Sequence, residues 1–178
     1  LHGLEYAFIG ALPVLAWGRV RATTDIDLVA ALNTEQLAGL GRELDSVGFS
    51  PGRSVGPTDA DDSTPDIAVY WYGKDSPVRL DLFIAKTEFE RDVIRTARRA
   101  EVLGSSVRLA SPEASIIYKL LAGRRRDIDD LETIFEARQA AGDGLDWKFL
   151  DHWADAWDIT GRLSPYRSRY QPGSTADG

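Results

Sequence analysis

Residues 6–30, YAFIGALPVLAWGRVRATTDIDLVA, decide how this chain is read. The apolar run around Tyr6, Ala7, Phe8 and Ile9 makes residues 4–9 a short strand, and Gly10 ends it. Residues 11–17 then follow as a short helix, with Leu12, Leu15 and Ala16 at helical spacing. Pro13 is tolerated because it falls in the first turn, and Gly18 closes the segment. Residues 24–31 alternate, with Asp25 and Asp27 on one side and Ile26 and Leu28 on the other, which is a strand with one wet face. The Cα atoms of the two aspartates are then about 6.6 Å apart on one side of the sheet. Two anions so placed repel unless a cation lies between them. Mg²⁺ suits such oxygen donors, taking one or two carboxylates and completing its shell with water and substrate phosphates. A lone D-x-D is equally the solvent face of an ordinary strand, so the rest of the chain has to arbitrate.

Working outward, Thr34 reads as the N-cap of a helix through residue 46, with Leu37, Leu40 and Leu44 as its apolar stripe. Residues 50–65 are rich in Pro, Gly and Asp and read as a loop. Residues 66–72 and 78–85 read as a hairpin, and Thr87 with Glu90 as a capping box opening a helix to about residue 100. Residues 101–109 follow as a strand turned near Gly104. Ser111-Pro112-Glu113 then starts a helix that stops at Gly123. Further helices are expected over residues 126–140 and 146–157, and residues 164–178 read as a polar, flexible tail. Trp17, Trp71, Trp147, Trp153 and Trp157 read as packing aromatics. The order predicts an α/β (α+β) fold: a mixed-sheet core over residues 1–110, then a helical segment over 111–163.

The second signal is Asp81, a third acid inside the otherwise apolar stretch Arg79-Leu80-Asp81-Leu82-Phe83. A carboxylate there is costly unless it is paired or binds a metal. Arg79 lies two residues away on the same face, so an Arg79–Asp81 pair is the simpler alternative to a ligand role. Upstream, the strand–Gly10–helix turn offers backbone N–H groups to a phosphate. Composition narrows the chemistry further. The chain has no Cys and only His2 and His152, which excludes thiolate metal sites and disulfides and disfavours a histidine-dependent triad. No apolar run is long enough to span a membrane, and the first residues lack the order of a signal peptide. Leu1 in place of Met points to a trimmed chain or a non-AUG start, and a cytoplasmic location is expected.

Three strand-borne acids and a glycine turn resemble the nucleotidyltransferase superfamily. Its pattern is an apolar strand, Gly-[Gly/Ser], a short helix and then Asp-x-[Asp/Glu], with a third carboxylate on a later strand. The stretch RLASPEASIIYKLLAGRRRDIDDLE (residues 108–132) resembles the small bacterial subgroup related to AbiEii-type toxins of type IV toxin–antitoxin systems. In this sequence Ala11 stands where the superfamily usually has Gly or Ser, which leaves a backbone N–H and no hydroxyl. The resemblance implies that Asp25, Asp27 and Asp81 ligate two Mg²⁺ ions, with Mn²⁺ as a substitute. It also implies that Gly10, Ala11, Thr24, Lys119 and Arg124 bind an NTP, with Asp127 and Asp130 as weaker matches. The implied reaction moves an NMP from that NTP to an acceptor hydroxyl on RNA, tRNA or protein, with a cognate antitoxin as a further partner. The alternatives are a catalytically weak nucleotide- or partner-binding module on the same fold, and a transferase acting on an aminoglycoside-type small molecule.

Charge bears on the acceptor. The formal net charge is -7, yet residues 91–126 carry nine Lys/Arg against three acids, a local +6 that leaves -13 in the remainder. Such a run is commonly a pair of solvated helix faces. It would also form a cationic wall for a polyanion, which favours RNA as acceptor.

Overall fold

The glycine turn at residue 10 joins strand β1 (Tyr6–Ile9) to helix α1 (Ala11–Trp17), and β2 (Asp25–Ala30) follows. These elements belong to a computed structural model that describes residues 3–19, 22–56, 66–75, 77–102 and 104–171. Next come α2 (Thr34–Ser46), β3 (Phe49–Pro51), β4 (Ile67–Tyr72), β5 (Val78–Ile84) and α3 (Glu88–Arg95). The hairpin β6 (Arg98–Val102) and β7 (Ser105–Leu109) precedes four helices: α4 (Pro112–Ala122), α5 (Arg125–Ala141), α6 (Trp147–Ala156) and α7 (Thr160–Tyr170). The fold is mixed α/β. The chain divides into two units, one of Leu1–Leu12 with Arg21–Ala110 and one of Pro13–Val20 with Ser111–Gly178.

The first unit is built on one sheet of seven strands in the order β3-β4-β5-β2-β1-β7-β6. β2 runs antiparallel to β1 and parallel to β5, and β1 runs parallel to β7. One sheet face carries Leu28, Ala30, Tyr70, Leu80, Leu82 and Ile84, and Leu40 of α2 completes this buried cluster. A side chain such as Leu82, wholly buried, contributes about 1.5–3 kcal/mol. The other face carries Ala7 and Val29, both fully buried, and α3 packs on β1 and β2 with Phe89, Val93 and Ile94 buried.

Local chemistry sets several boundaries, some of them away from where the sequence places them. The N-cap of α2 is Asn33, not Thr34. Asn33 Oδ1 accepts from Gln36 N at 2.8 Å, and Gln36 Oε1 accepts from Asn33 N at 3.0 Å. Residues 49–51, at the mouth of the expected loop, form an edge strand against β4, where a proline is tolerated. Residues 57–65 of that loop lie outside the described residues. The Thr87–Glu90 capping box is present, but α3 stops at Arg95. Thr96 Oγ1 donates to Asp92 O at 2.7 Å there. Residues 98–102, which the sequence assigns largely to that helix, instead pair antiparallel with β7.

The second unit packs helices around Ile116, Ile117, Ile134, Phe135, Leu150 and Leu163, all at most 1% exposed. Ser111 Oγ accepts from Ala114 N at 3.1 Å to cap α4, and Gly123 ends it at φ +60°, a left-handed turn natural to glycine. α7 runs through residues expected to be tail, despite Pro165 inside it. Proline cannot donate to the carbonyl four residues earlier, and here Ser164 Oγ donates to that Gly161 carbonyl at 3.3 Å. Phe135 then holds the helix by stacking on Tyr166 and Tyr170, with centroids 4.9 Å and 5.0 Å away.

Candidate functional site

The strand register assembles the carboxylates. Asp27 lies beside Asp81 on β5 and opposite Ile9 on β1, while Asp25 lies beside Arg79. One row across the exposed end of this face is therefore Trp71, Arg79, Asp25, and the next is Val69, Asp81, Asp27, Ile9. The three acids expected from the sequence thus share one face and two adjacent strands. Asp25 is exposed and Asp27 half-buried. Thr23 Oγ1 donates to Asp25 O at 3.0 Å and fixes the entry to β2, and Thr24 is exposed just before it.

Gly10 meets this face closely. Its φ is +68°, and a Cβ there would sit 2.0 Å from Asp27 Oδ2. Glycine is required at this position both for the left-handed turn and for the approach of backbone to carboxylate. Ala11, next in the chain, is buried.

Asp81 is not held by its fellow acids. Arg79 Nε donates to Asp81 Oδ1 at 2.7 Å, with the Asp81 side chain 15% exposed. The Arg79 guanidinium also lies 5.9 Å from the centre of the Trp71 ring. Trp71, read from the sequence as a packing residue, is 39% exposed on the carboxylate face, and Trp157 is also exposed. Period-two alternation alone could not place Trp71 there, because its face follows from pairing Trp71 with Arg79.

The donor chemistry of Asp25 and Asp27 fits a hard divalent ion, since Mg²⁺ needs only one or two carboxylates from the protein. The third carboxylate is committed to Arg79. Among the described residues no group of three or more His, Asp or Glu side chains is placed to hold a metal.

Lys119 and Arg124 belong to the second unit, where they meet Asp127 and Asp130. Lys119 Nζ donates to Asp127 Oδ1 at 3.0 Å and to Asp130 Oδ2 at 2.7 Å, and all three residues are at most 5% exposed. Arg124 Nε donates to Asp127 Oδ2 at 2.7 Å, and Arg124 N to the same oxygen at 3.1 Å. Burial pushes the Asp127 carboxyl up, but hydrogen bonds from Arg124 and Lys119, with the Lys119 charge, more than reverse this and hold it below its usual range. Helical spacing assigns Lys119 to solvent, and the family resemblance assigns it to a phosphate. The geometry gives its ammonium to two carboxylates.

Residues 2–155 match the model of a family described as nucleotidyl transferase of unknown function (DUF2204). No curated protein matches the chain. Among solved structures it is similar to an antigenic nucleotidyltransferase-like protein from Paracoccidioides brasiliensis, with TM-score 0.53, 19% identity, and 91% of this chain and 83% of that one covered. It is also similar to the antibiotic-resistance factor ANT(2'')-Ia in solution, with TM-score 0.56 and 17% identity over 93% of this chain and 88% of that one. The complex of ANT(2")-Ia with adenylyl-2"-tobramycin gives TM-score 0.52 and 17% identity over 94% and 89%. At these identities the structures share a fold.

Proposed function

We propose, from the premise that this chain belongs to the nucleotidyl transferase family DUF2204, that it is a Mg²⁺-dependent nucleotidyltransferase whose catalytic carboxylates are Asp25, Asp27 and Asp81. The observation that carries the assignment is the register that sets Asp81 beside Asp27 on the face where Gly10 closes against the Asp27 carboxylate. When bound, Mg²⁺ would supply charge stabilisation for the attacking and leaving oxygens of an in-line displacement. Asp25 and Asp27 would hold it and orient the triphosphate, Asp81 would share it once Arg79 withdraws, and the backbone at Gly10 and Ala11 and the exposed Thr24 would lie on the phosphate side.

Asp81 would take the proton of the acceptor hydroxyl once Arg79 withdraws from its carboxylate. The hydroxyl oxygen then bonds to the α-phosphorus, the bond from that phosphorus to the bridging oxygen breaks, and pyrophosphate leaves. Lys119 and Arg124 act through Asp127 in this reading. Their two donors fix the carboxylate that caps the start of α5, and the guanidinium of Arg124, 57% exposed, is the more solvent-facing cation of the pair.

An RNA or protein hydroxyl as acceptor, and a role as the toxin of a type IV toxin–antitoxin pair with a cognate antitoxin, are supported by the resemblance of residues 108–132 to that subgroup. A small-molecule acceptor is the second reading, favoured by the likeness of fold to ANT(2'')-Ia. Among the described residues no helix is long and apolar enough to cross a membrane. The test supplies Mg²⁺, each α-labelled NTP and, separately, total tRNA and an aminoglycoside, with an Asp25→Ala/Asp27→Ala control. Label should move to one acceptor with the wild-type chain only. NTP binding with no transfer to any acceptor would replace the enzyme reading with the binding-module reading.

A further inference from the structure

Five cations of the basic segment fall in the first unit, at one corner of the sheet. They are Arg91 and Arg95 on α3, Arg98 and Arg99 on β6, and Arg108 on β7. The proposed chemistry uses none of them.

Arg99 sits directly opposite Arg108 in the β6–β7 ladder, so the two guanidinium groups share one face of the sheet. Like charges directly opposite each other on a sheet are destabilising when nothing bridges them. The parallel pairing of Phe8 with Leu109 sets which face this is. Leu109 is on the side of Phe8 and Leu28, so Arg108 lies on the side of Ala7, Val29 and the carboxylates. Two strands across and two residues along the ladder put Arg108 about 12 Å from Asp27.

Beside Arg108 is a cavity of about 540 Å³ lined by Glu5, Ala31, Arg91, Ile94, Arg95 and Arg108. Arg108 Nη2 donates to the Ile94 carbonyl at the end of α3 at 2.7 Å. Its Nε is buried and has no hydrogen-bond partner. Capping α3 therefore accounts for one edge of this guanidinium and leaves the other unsatisfied, which is unusual for a buried donor. Arg91 reaches only the Lys86 carbonyl, at 3.3 Å. Arg95 is already paired with Asp92, at 3.1 Å and 2.8 Å, and Glu5 is the acidic residue of the lining. Among the described residues, the donors left over are those of Arg91 beyond its bond to Lys86, those of Arg99, and Nε of Arg108. Forked guanidinium donors of this kind match a phosphate.

We propose that this corner is a phosphate-binding subsite that holds the backbone of a single-stranded nucleic acid whose end reaches the carboxylate face. The cations are spread from a cavity on α3 to the exposed edge strand β6, which suits a chain of phosphates better than one free anion. The proposal rests on the nucleotidyltransferase reading, and its test separates the two.

A fluorescein-labelled short single-stranded RNA is titrated with the full chain by anisotropy at several salt concentrations. The wild type is compared with Arg91→Gln/Arg99→Gln, both surface positions, and with the lysine pair at the same sites. Mg-ATP binding is measured on each protein. The glutamine pair should bind RNA about ten-fold more weakly, and its plot of log affinity against log salt should flatten by about 0.7 for each phosphate no longer neutralised. The lysine pair should recover most of the salt slope, and Mg-ATP affinity should not change. Equal RNA affinity and slope in wild type and glutamine pair would overturn the subsite. So would saturation of the Arg108 side-chain signals in NMR by inorganic phosphate without RNA binding, because the corner would then hold a free anion. Absence of Mg-ATP binding by the wild type would instead overturn the transferase reading on which the proposal stands.

Discussion

The molecule has two clusters of acids and cations, made of the same residue types and put to different ends. On the sheet face, Asp25, Asp27 and Asp81 are exposed or half-buried, and one arginine serves the last of them. Between α4 and α5, Asp127 and Asp130 are almost wholly buried, and Lys119 bridges both with Arg124 behind. The first cluster gathers three acids on one partly exposed face, the arrangement on which the proposed metal site rests. In the second, the Lys119 ammonium lies against both carboxylates, and Arg124 also donates to Asp127. Burial, more than residue type, separates the two clusters.

That contrast can be broken most severely from the buried side. Lys119→Ala removes the cation shared by two buried carboxylates and should cost about 3–5 kcal/mol, read as a shift in the urea midpoint. Little loss of stability would mean that water reaches the network. On the open side the balance reverses. Asp27→Asn should lower transfer by about a hundred- to a thousand-fold, ~3–4 kcal/mol in the barrier, while the melting temperature stays within a degree or two of wild type. A large loss of stability instead would make Asp27 part of the packing.

A smaller effect is expected where the clusters are most alike, at the Arg79–Asp81 pair. Arg79→Gln removes the cation that competes for Asp81. The Mg²⁺ concentration for half-maximal binding should fall about five-fold, on the scale of ~1 kcal/mol for a partly exposed pair, as calorimetry without nucleotide would show. Unchanged Mg²⁺ affinity would separate Asp81 from the metal. The smallest effect is on pH. Asp127 is held below its ordinary 3.8 in the folded chain, so its contribution to stability is fully present above that value. It is lost as pH falls through the lowered one. Asp127→Asn should therefore flatten the acid limb of a stability–pH curve below about pH 4 and leave its shape at neutral pH unchanged.

Much of the carboxylate site is legible in the linear order because it is built from local rules. Residues 11–17 need only apolar spacing and bounding glycines, and α4 needs only Ser111, Pro112 and Gly123. That Asp25 and Asp27 share a face follows from the period of a strand. The elements that escape the sequence are those decided by distant partners. Residues 98–102 carry charges that continue the pattern of α3, and only the ladder with β7 makes them a strand. α7 contains Gly161, Ser164 and Pro165, a poor helix by composition, yet stacking on Phe135 and the Arg162 bond to the Leu120 carbonyl at 2.7 Å hold it. Lys119 looks like the polar side of an amphipathic helix because its partners lie eight and eleven residues on, across a helix boundary.

By itself, then, the amino-acid order determined which residues could do chemistry here: oxygen ligands in place of thiols and imidazoles, on a strand that follows a glycine turn. Periodicity and capping act over a few residues, so they can be read without a partner in space. The Arg79–Asp81 pair was within reach of the same local reasoning, but tertiary structure alone decided that Asp81 stands beside Asp27, that Trp71 flanks Arg79, and that Lys119 is enclosed by carboxylates. Register, burial and charge neutralisation depend on groups far apart in the chain, and these come together only when the sheet and the helices have formed.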